Sequence, residues 1–165
     1  MMFARTALRV SRQTRSVSTI KPFYTAESTA TGGRNGFVKG TEGFETELAT
    51  PGALNGKGAS ATRQNPEILF SSGYAACFLG AIHAAGGQLK VAIPKDATVT
   101  AKTSLGHIVE VPNGPKGFGL SVDIIANLPG IDKAKAREIV DKAHNDICPY
   151  SKAVKGNIVV NVSVE

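Results

Sequence analysis

Two cysteines offer the most reactive side chains in this chain, and they lie far apart in the sequence. Cys77 falls inside an apolar segment, and Cys148 follows 71 residues later, directly before Pro149. Neither belongs to a CxxC pair, and the sequence has no HxxxH spacing, so a zinc site is poorly supported. A single structural disulfide is uncommon in a reducing compartment. The two cysteines therefore favour redox chemistry, with Cys77 as a candidate nucleophile and Cys148 as a candidate resolving thiol. The alternative is that both are buried small residues.

A cysteine reacts as its thiolate, and a neighbouring cation lowers its pKa from about 8.5. The candidate cation is Arg34, in the glycine-rich segment TGGRNG. Arginine stays charged, and its planar fork can contact a carboxylate and a thiolate together. That carboxylate would be Glu67, the only acid between Glu47 and Asp96. Two alternatives remain open: a solvated turn arginine, and a glutamate that only complements a helix dipole.

Cys77 lies in the middle of a predicted helix that the rest of the chain has to position. Asn65 can cap this helix, and Pro66 suits its first position. After Glu67 no charged residue follows until Lys90, and a helix without a charged face is typical of a core. Its many serine, glycine and alanine residues would let a second backbone come close. The segment is therefore predicted to pack tightly against another helix.

This helix is predicted to end near Ala85, where Gly86 and Gly87 follow. So apolar a helix is hard to bury within one short chain, which suggests a homodimer with two such helices between sheets. The spacing of Glu67 and Cys77 leads to the same expectation, because ten residues span about 15 Å of helix. An antiparallel partner helix would bring Glu67 of one chain near Cys77 of the other.

Alternating apolar residues predict strands in the other segments, at residues 23–31, 37–39, 43–49, 97–111, 118–128 and 157–164. The TGGRNG segment is predicted to form a hairpin turn between the first two. Asp132 caps a second, amphipathic helix that runs to about residue 147 and is stopped by Pro149. Residues 51–64 are predicted to be a loop that moves, above all between Gly52 and Ala61. The fold class is α+β, with largely antiparallel sheets around a long buried helix.

Length and composition bound the possible functions. At 165 residues, 42% hydrophobic and 19% charged, the chain is predicted to form one globular domain over residues 21–165. No apolar run approaches the roughly 20 residues of a membrane helix. The net charge of +6 is concentrated in the first 21 residues, which hold five cations and no acid, so the remainder carries only +1. So nearly neutral a body lacks the footprint of a nucleic-acid binder.

Residues 1–20 are rich in Arg, Ser and Thr, a composition typical of a mitochondrial transit peptide. A disordered basic tail is the alternative. The histidines add no clear chemistry: His83 is predicted to pack, His144 to be exposed on a charged helix, and His107 has no evident partner. No Ser/His/Asp signature supports a hydrolase.

Three segments together resemble the organic hydroperoxide resistance (Ohr) branch of the OsmC/Ohr superfamily. They are TATGGRNG at residues 29–36, NPEILFSSGYAACFLGAI at 65–82 and HNDICPYSKAVKGNI at 144–158. The resemblance runs from about Phe23 to the C-terminus. It implies an OsmC-like fold, an intertwined homodimer and a thiol-dependent peroxidase that reduces organic hydroperoxides, including lipid-derived ones, to alcohols.

By this match, Cys77 is the peroxidatic cysteine, Cys148 the resolving cysteine, Arg34 the activating arginine and Glu67 the carboxylate that orients it. The resemblance also implies no bound cofactor, and reduction by dihydrolipoamide or lipoylated proteins. The N-terminal extension departs from the mostly bacterial family and suggests a mitochondrial version, with lipoylated dehydrogenase complexes at hand. Apolar neighbours such as Phe70 and Phe78 are expected to favour a hydrocarbon tail. A non-enzymatic redox sensor and a dimeric scaffold with inert thiols remain alternatives.

Overall fold

The computed structural model describes residues 19–109 and 116–165. The transit peptide expected over residues 1–20 lies almost wholly outside these ranges, as does most of the turn expected near residues 113–117. The elements in chain order are β1 (Ser28–Thr31), β2 (Phe37–Gly40), β3 (Glu45–Leu48), β4 (Arg63–Gln64), α1 (Pro66–Leu89), β5 (Thr98–His107), β6 (Phe118–Asn127), α2 (Lys133–Lys142), α3 (Pro149–Val154) and β7 (Val159–Val164). Short 3-10 turns lie at Gly33–Asn35, Thr41–Gly43 and Gly52–Leu54, and a π turn at Ala143–Ile147.

Two sheets accompany one long helix, which confirms the α+β prediction. The first sheet has the order β1-β2-β3-β4 and the second the order β5-β6-β7. Neighbours β1/β2, β2/β3 and β5/β6 run antiparallel, and β1 and β2 form the predicted hairpin. Each sheet also holds one parallel pair, β3/β4 and β6/β7. A parallel pair needs a crossover connection, and α2 and α3 supply it between β6 and β7.

Helix α1 is the predicted long central helix, but only one face of it is buried within the single chain. The Asn65 side chain accepts a hydrogen bond from the Ile68 N–H at 2.8 Å, so the predicted cap is formed. Tyr74, Phe78 and Ile82 are fully buried and belong to the core that α1 shares with β6 and α2. Judged by length and composition only, α1 is also long enough and apolar enough to cross a membrane, whereas no such segment was expected.

The predicted end of α1 near Ala85 is wrong, because the helix continues to Leu89. Gly86 lies inside it and is buried. A Cβ at Gly86 would come within 2.6 Å of the Ile93 side chain, where the chain folds back over the helix. The glycine therefore allows a close approach, and the helix is capped after Leu89 by Lys90, which takes a left-handed conformation with φ of 58°.

The second predicted helix is observed as α2 followed by a π turn. The Asp132 side chain caps α2 by accepting from the N–H groups of Ala134 and Lys135. At Ala143–Ile147 the helical hydrogen bonds change to the wider i→i+5 pattern of a π turn, which ends at Cys148. Pro149 ends this element as predicted and also begins α3, since proline suits a first helical position. π turns are frequent at functional sites, and this one ends at a cysteine.

Candidate active site

The fold brings the two cysteines together. Cys77 is half-buried on α1, and Cys148 is fully buried at the corner between the π turn and α3. Their Sγ atoms lie 3.6 Å apart, and both are free thiols. A disulfide requires an S–S separation of about 2.05 Å. The fold therefore brings two sulfurs that are 71 residues apart in sequence into contact without a bond between them.

Hydrogen bonds fix the corner that carries Cys148. Its N–H donates to the Ala143 carbonyl at 2.9 Å, which closes the π turn. Its backbone then becomes extended, with φ of −61° and ψ of 117°. Its sulfur accepts from the Ser151 N–H at 3.5 Å, so Cys148 acts as the cap of α3. The sulfur is thereby held against α1.

Within one chain, Cys77 is harder to ionise than an ordinary cysteine. Burial raises the pKa of the Cys77 thiol, and the adjacent Cys148 also raises it, whereas a backbone hydrogen bond from Tyr150 lowers it. This direction is opposite to the one expected from a neighbouring arginine. The surroundings of Cys77 in the single chain therefore do not explain how a thiolate would form at neutral pH.

Arg34 and Glu67 form a bidentate ion pair at the other end of the site. Arg34 Nη1 donates to Glu67 Oε2 at 3.0 Å, and Nη2 donates to Oε1 at 2.5 Å. The Glu67 side chain is 12% exposed and that of Arg34 is 39% exposed. The hydrogen bonds from Arg34 lower the pKa of Glu67, and those to Glu67 raise the pKa of Arg34. The structure thus holds the guanidinium in the orientation that the carboxylate dictates.

The backbone around Arg34 explains why the sequence there is rich in glycine. Gly32 and Gly33 both have positive φ, at 68° and 59°, a conformation in which glycine carries no steric penalty. The resulting 3-10 turn places Arg34 over the first turn of α1. Glu67 is ten residues before Cys77 on one continuous helix, so the ion pair and the sulfur are separated by about 15 Å along its axis.

A cavity of about 330 Å³ lies against Glu67. Its walls are mainly apolar and come from α1, β5 and the segment before β4; they consist of Pro51, Ala53, Leu54, Asn65, Glu67, Ile68, Ser71, Thr103 and Leu105. The segment predicted as a mobile loop therefore contributes a 3-10 turn, Gly52–Leu54, to a wall of this cavity. Phe78 was expected to contact a hydrocarbon tail. That prediction is wrong, because Phe78 is fully buried in the core. Phe70 is half-buried and contacts the rings of Tyr74 and Tyr150.

The structure adds polar residues beside Cys148 that the sequence reasoning missed. The Tyr74 and Ser151 hydroxyls lie 2.9 Å apart, and His144 Nδ1 lies 3.1 Å from the Ser151 oxygen. His144 was expected to be exposed, but it is half-buried, and the centre of its ring lies 6.2 Å from that of Phe78. One feature of the sequence could have indicated the place of Ser151. It is three residues after Cys148, and the side chain that caps a helix accepts a hydrogen bond from the N–H of the second or third residue after it.

No three His, Cys, Asp or Glu side chains in residues 19–109 and 116–165 are grouped so that they would hold a metal ion. The site as described consists of two adjacent thiols, an ion pair at the far end of the same helix, and an apolar cavity beside that pair. Such an arrangement suits thiol–disulfide chemistry.

Comparison with known proteins identifies the family of the chain. The family model described as OsmC-like protein matches residues 57–163. The organic hydroperoxide resistance protein of Xanthomonas axonopodis pv. citri (strain 306) is 43% identical over 145 residues, which cover 87% of this chain and 96% of that protein.

Solved structures give the same result. The crystal structure of an organic hydroperoxide resistance protein from Legionella pneumophila is similar with a TM-score of 0.77 and 40% identity, covering 88% of this chain and 99% of that one. A counterpart from Elizabethkingia anophelis has a TM-score of 0.77 and 42% identity, covering 88% and 99%. The chain therefore belongs to the OsmC-like proteins and, among them, to the organic hydroperoxide resistance family.

Proposed function

We propose that this protein is a thiol-dependent peroxidase that reduces organic hydroperoxides to alcohols, with Cys77 as peroxidatic and Cys148 as resolving cysteine. The observation that carries the proposal is the 3.6 Å separation of their sulfur atoms. Family membership supports it, since similar proteins are named for resistance to organic hydroperoxides.

The chemistry follows from the two thiols. The Cys77 thiolate attacks the distal peroxide oxygen, the O–O bond breaks, and the organic oxygen leaves and takes up a proton as the alcohol. Cys77 becomes a sulfenic acid. The Cys148 sulfur then displaces its hydroxyl, which leaves as water with the thiol proton, and the disulfide forms. An external dithiol reopens the disulfide by exchange through a mixed disulfide.

In this proposal the Arg34–Glu67 ion pair of one chain acts on Cys77 of a second copy of the chain. Only 28% of the most apolar stretch of α1 is buried within the single chain, which supports a homodimer that covers the rest. An antiparallel α1 from a second copy would bring Arg34 and Glu67 of one chain beside Cys77 of the other. The guanidinium would then offset the burial that raises the pKa of Cys77, and would stabilise negative charge on the peroxide oxygens.

Mixed dimers test this arrangement. One chain carries Cys77→Ser and the other carries Arg34→Ala, so neither homodimer has a complete site. If the arginine acts across the dimer, refolding the two together restores activity, because one site then holds both an intact Cys77 and an intact Arg34. Activity that stays at the level of the separate variants would show that the arginine acts within its own chain. Sedimentation velocity on the same samples establishes the oligomeric state.

The reductant in this proposal is dihydrolipoamide, free or on a lipoylated protein. Cys148 is fully buried, whereas Cys77 is only half-buried. A dithiol therefore attacks the Cys77 sulfur and releases Cys148, and its second thiol completes the exchange. The Arg-rich residues 1–20 support a mitochondrial location, where lipoylated dehydrogenase components are the proposed partners. Fusing residues 1–20 to a fluorescent protein tests the location, and diffuse cytosolic signal contradicts it.

Steady-state turnover tests the function itself. The wild-type chain is expected to reduce cumene hydroperoxide over many turnovers with dihydrolipoamide, and far more slowly with glutathione. Hydrogen peroxide is expected to be a poorer substrate, because the cavity beside Glu67 has apolar walls that suit a hydrocarbon group. A chain that completes one oxidation and no further turnover with any dithiol would instead fit the redox-sensor alternative.

A further inference from the structure

A buried group of hydroxyls and an imidazole beside Cys148 has no part in the scheme above. Ser151 is 2% exposed and Tyr74 is fully buried. The Ser151 oxygen lies 2.9 Å from the Tyr74 oxygen and 3.1 Å from His144 Nδ1. The Ser151 N–H donates to the Cys148 sulfur at 3.5 Å. Ser151 therefore joins three parts of the chain: α1 through Tyr74, the π turn through His144, and the corner that carries Cys148.

The spacing of these residues links them to the sulfur pair. Tyr74 is three residues before Cys77 on α1, and Ser151 is three residues after Cys148 at the start of α3. Side chains three apart on a helix are neighbours on one face. The Tyr74–Ser151 hydrogen bond and the Cys77–Cys148 contact thus connect the same two segments at adjacent turns.

We propose that Ser151, anchored by Tyr74 and His144, is a positioning residue that holds the Cys148 sulfur at attack distance from Cys77. The inference deepens the proposed function, on which it rests, by assigning residues to the disulfide-forming step. In that step the Cys148 sulfur displaces the hydroxyl of the Cys77 sulfenic acid, and the Cys148 proton leaves with it as water. The contacts of the Ser151 side chain add to the hydrogen bonds that fix the corner between the π turn and α3, because they join it to Tyr74 on α1 and to His144.

The surroundings of His144 and Tyr74, the two ends of this group, favour the neutral form of each side chain. Burial lowers the pKa of His144, Lys155 and Arg137 lower it further, and Asp141 raises it. Burial also raises the pKa of Tyr74. A neutral imidazole with its proton on Nε2 can accept from the Ser151 hydroxyl at Nδ1, and this hydroxyl can in turn accept from the protonated Tyr74 phenol. All three groups are thereby satisfied in a site where an unpaired polar group would be costly.

The test separates the two chemical steps. The full-length reduced chain is mixed with a stoichiometric pulse of cumene hydroperoxide and quenched at intervals, and mass spectrometry quantifies dimedone-trapped sulfenic acid and disulfide. Ser151→Ala, Tyr74→Phe and His144→Leu are each expected to leave sulfenic acid formation near the wild-type rate. Disulfide formation should slow by about fivefold, the factor that corresponds to loss of one ordinary hydrogen bond. Ser121→Ala, an exposed serine on β6, is the matched control.

Two further variants distinguish positioning from general loss of structure. His144→Asn keeps an acceptor near the Nδ1 position and should restore most of the disulfide rate that His144→Leu loses. Ser151→Ala combined with Tyr74→Phe should be no slower than Ser151→Ala alone, because both remove the same contact. Wild-type disulfide rates in all three single variants would overturn the proposal. Equal slowing of both steps, with a lowered midpoint of thermal unfolding, would also overturn it.

A second readout does not depend on peroxidase activity. Cys77 reacts with 4,4′-dithiodipyridine to form a mixed disulfide and release one thiopyridone. Cys148 then displaces the second thiopyridone as it forms the intramolecular disulfide. The positioning variants should slow the second release and leave the first unchanged. If the wild type fails to reduce organic hydroperoxides but the variants still slow this second release, the proposed function fails and the positioning role stands. Unchanged second release overturns the positioning role.

Discussion

The sulfur atoms of Cys77 and Cys148 lie 3.6 Å apart, although one is half-buried on a helix and the other is fully buried at the end of a π turn. In the proposed cycle, substrate and reductant reach the half-buried sulfur of Cys77, and the buried sulfur of Cys148 contacts only that of Cys77. This asymmetry assigns the two roles in the proposed cycle without reference to any other residue.

Replacement of each cysteine by serine should have a different outcome. Cys77→Ser is expected to abolish peroxidase activity, because no thiolate remains to attack the peroxide. Cys148→Ser should permit about one oxidation per site and then accumulate sulfinic acid, since no thiol traps the sulfenic acid. Peroxide consumption together with intact-mass analysis measures both. Sustained turnover by Cys148→Ser with dihydrolipoamide would contradict the role of resolving thiol.

Arg34→Ala should slow peroxide reduction by about a hundredfold or more, the usual effect of removing a group that stabilises developing negative charge. It should also move the pH dependence of Cys77 alkylation to higher pH, because burial alone raises the pKa of this thiol. Arg34→Lys keeps the charge but lacks the two-pronged contact with Glu67, so an intermediate rate is expected. Alkylation profiles that coincide with the wild type would exclude the arginine from thiolate formation.

The Arg34–Glu67 pair should make stability depend on pH on the acid side. Arg34 lowers the pKa of Glu67 in the folded chain. The contribution of the pair is therefore complete above the ordinary glutamate pKa of about 4.3 and is lost as pH falls through the lowered value. Glu67→Gln should show a smaller fall in unfolding free energy between neutral pH and pH about 3, measured by urea denaturation at fixed protein concentration.

Glu45→Gln is the control for this measurement. Glu45 lies 3.9 Å from Lys39 in a pair whose side chains are largely exposed, and exposed pairs contribute little. Its acid dependence should match the wild type. If Glu67→Gln also matches the wild type, the carboxylate is not tightly paired in solution.

Two adjacent glycines of α1 should respond in opposite ways to alanine. A Cβ at Gly86 would lie 2.6 Å from Ile93 and 2.8 Å from the Val91 carbonyl, whereas a Cβ at Gly87 meets nothing within 4 Å. Gly86→Ala should therefore lower the free energy of unfolding by about 1–3 kcal/mol through overpacking. Gly87→Ala should raise it by up to about 1 kcal/mol, because alanine is the better helix former. Equal effects in urea denaturation would contradict the close approach at Gly86.

Local patterns were sufficient to predict much of the fold. The Asn65 cap, the hairpin at TGGRNG and the Asp132 cap depend on contacts within a few residues, and the structure shows each of them. The predicted strands are present with shifted bounds: the first begins at Ser28 and not at residue 23, and β4 lies in the segment predicted as a loop. The end of α1 was wrong for the opposite reason. Glycine usually weakens a helix, so Gly86 and Gly87 were expected to end it. Gly86 instead lies inside the helix, where the absence of a side chain leaves room for Ile93. That contact depends on how the chain folds back over the helix.

The sequence by itself determined which residue types were available for chemistry: two thiols, one arginine in a glycine-rich turn and one isolated acid. Only the tertiary structure decided their partners. Cys77 meets Cys148 across 71 residues, Arg34 meets Glu67 across 33, and Tyr74 meets Ser151 across 77. Helical and strand periodicity fixes which face a side chain occupies, but not which other element packs on that face. For this reason only the packing of α1, the π turn and α3 places Ser151 and His144 beside Cys148.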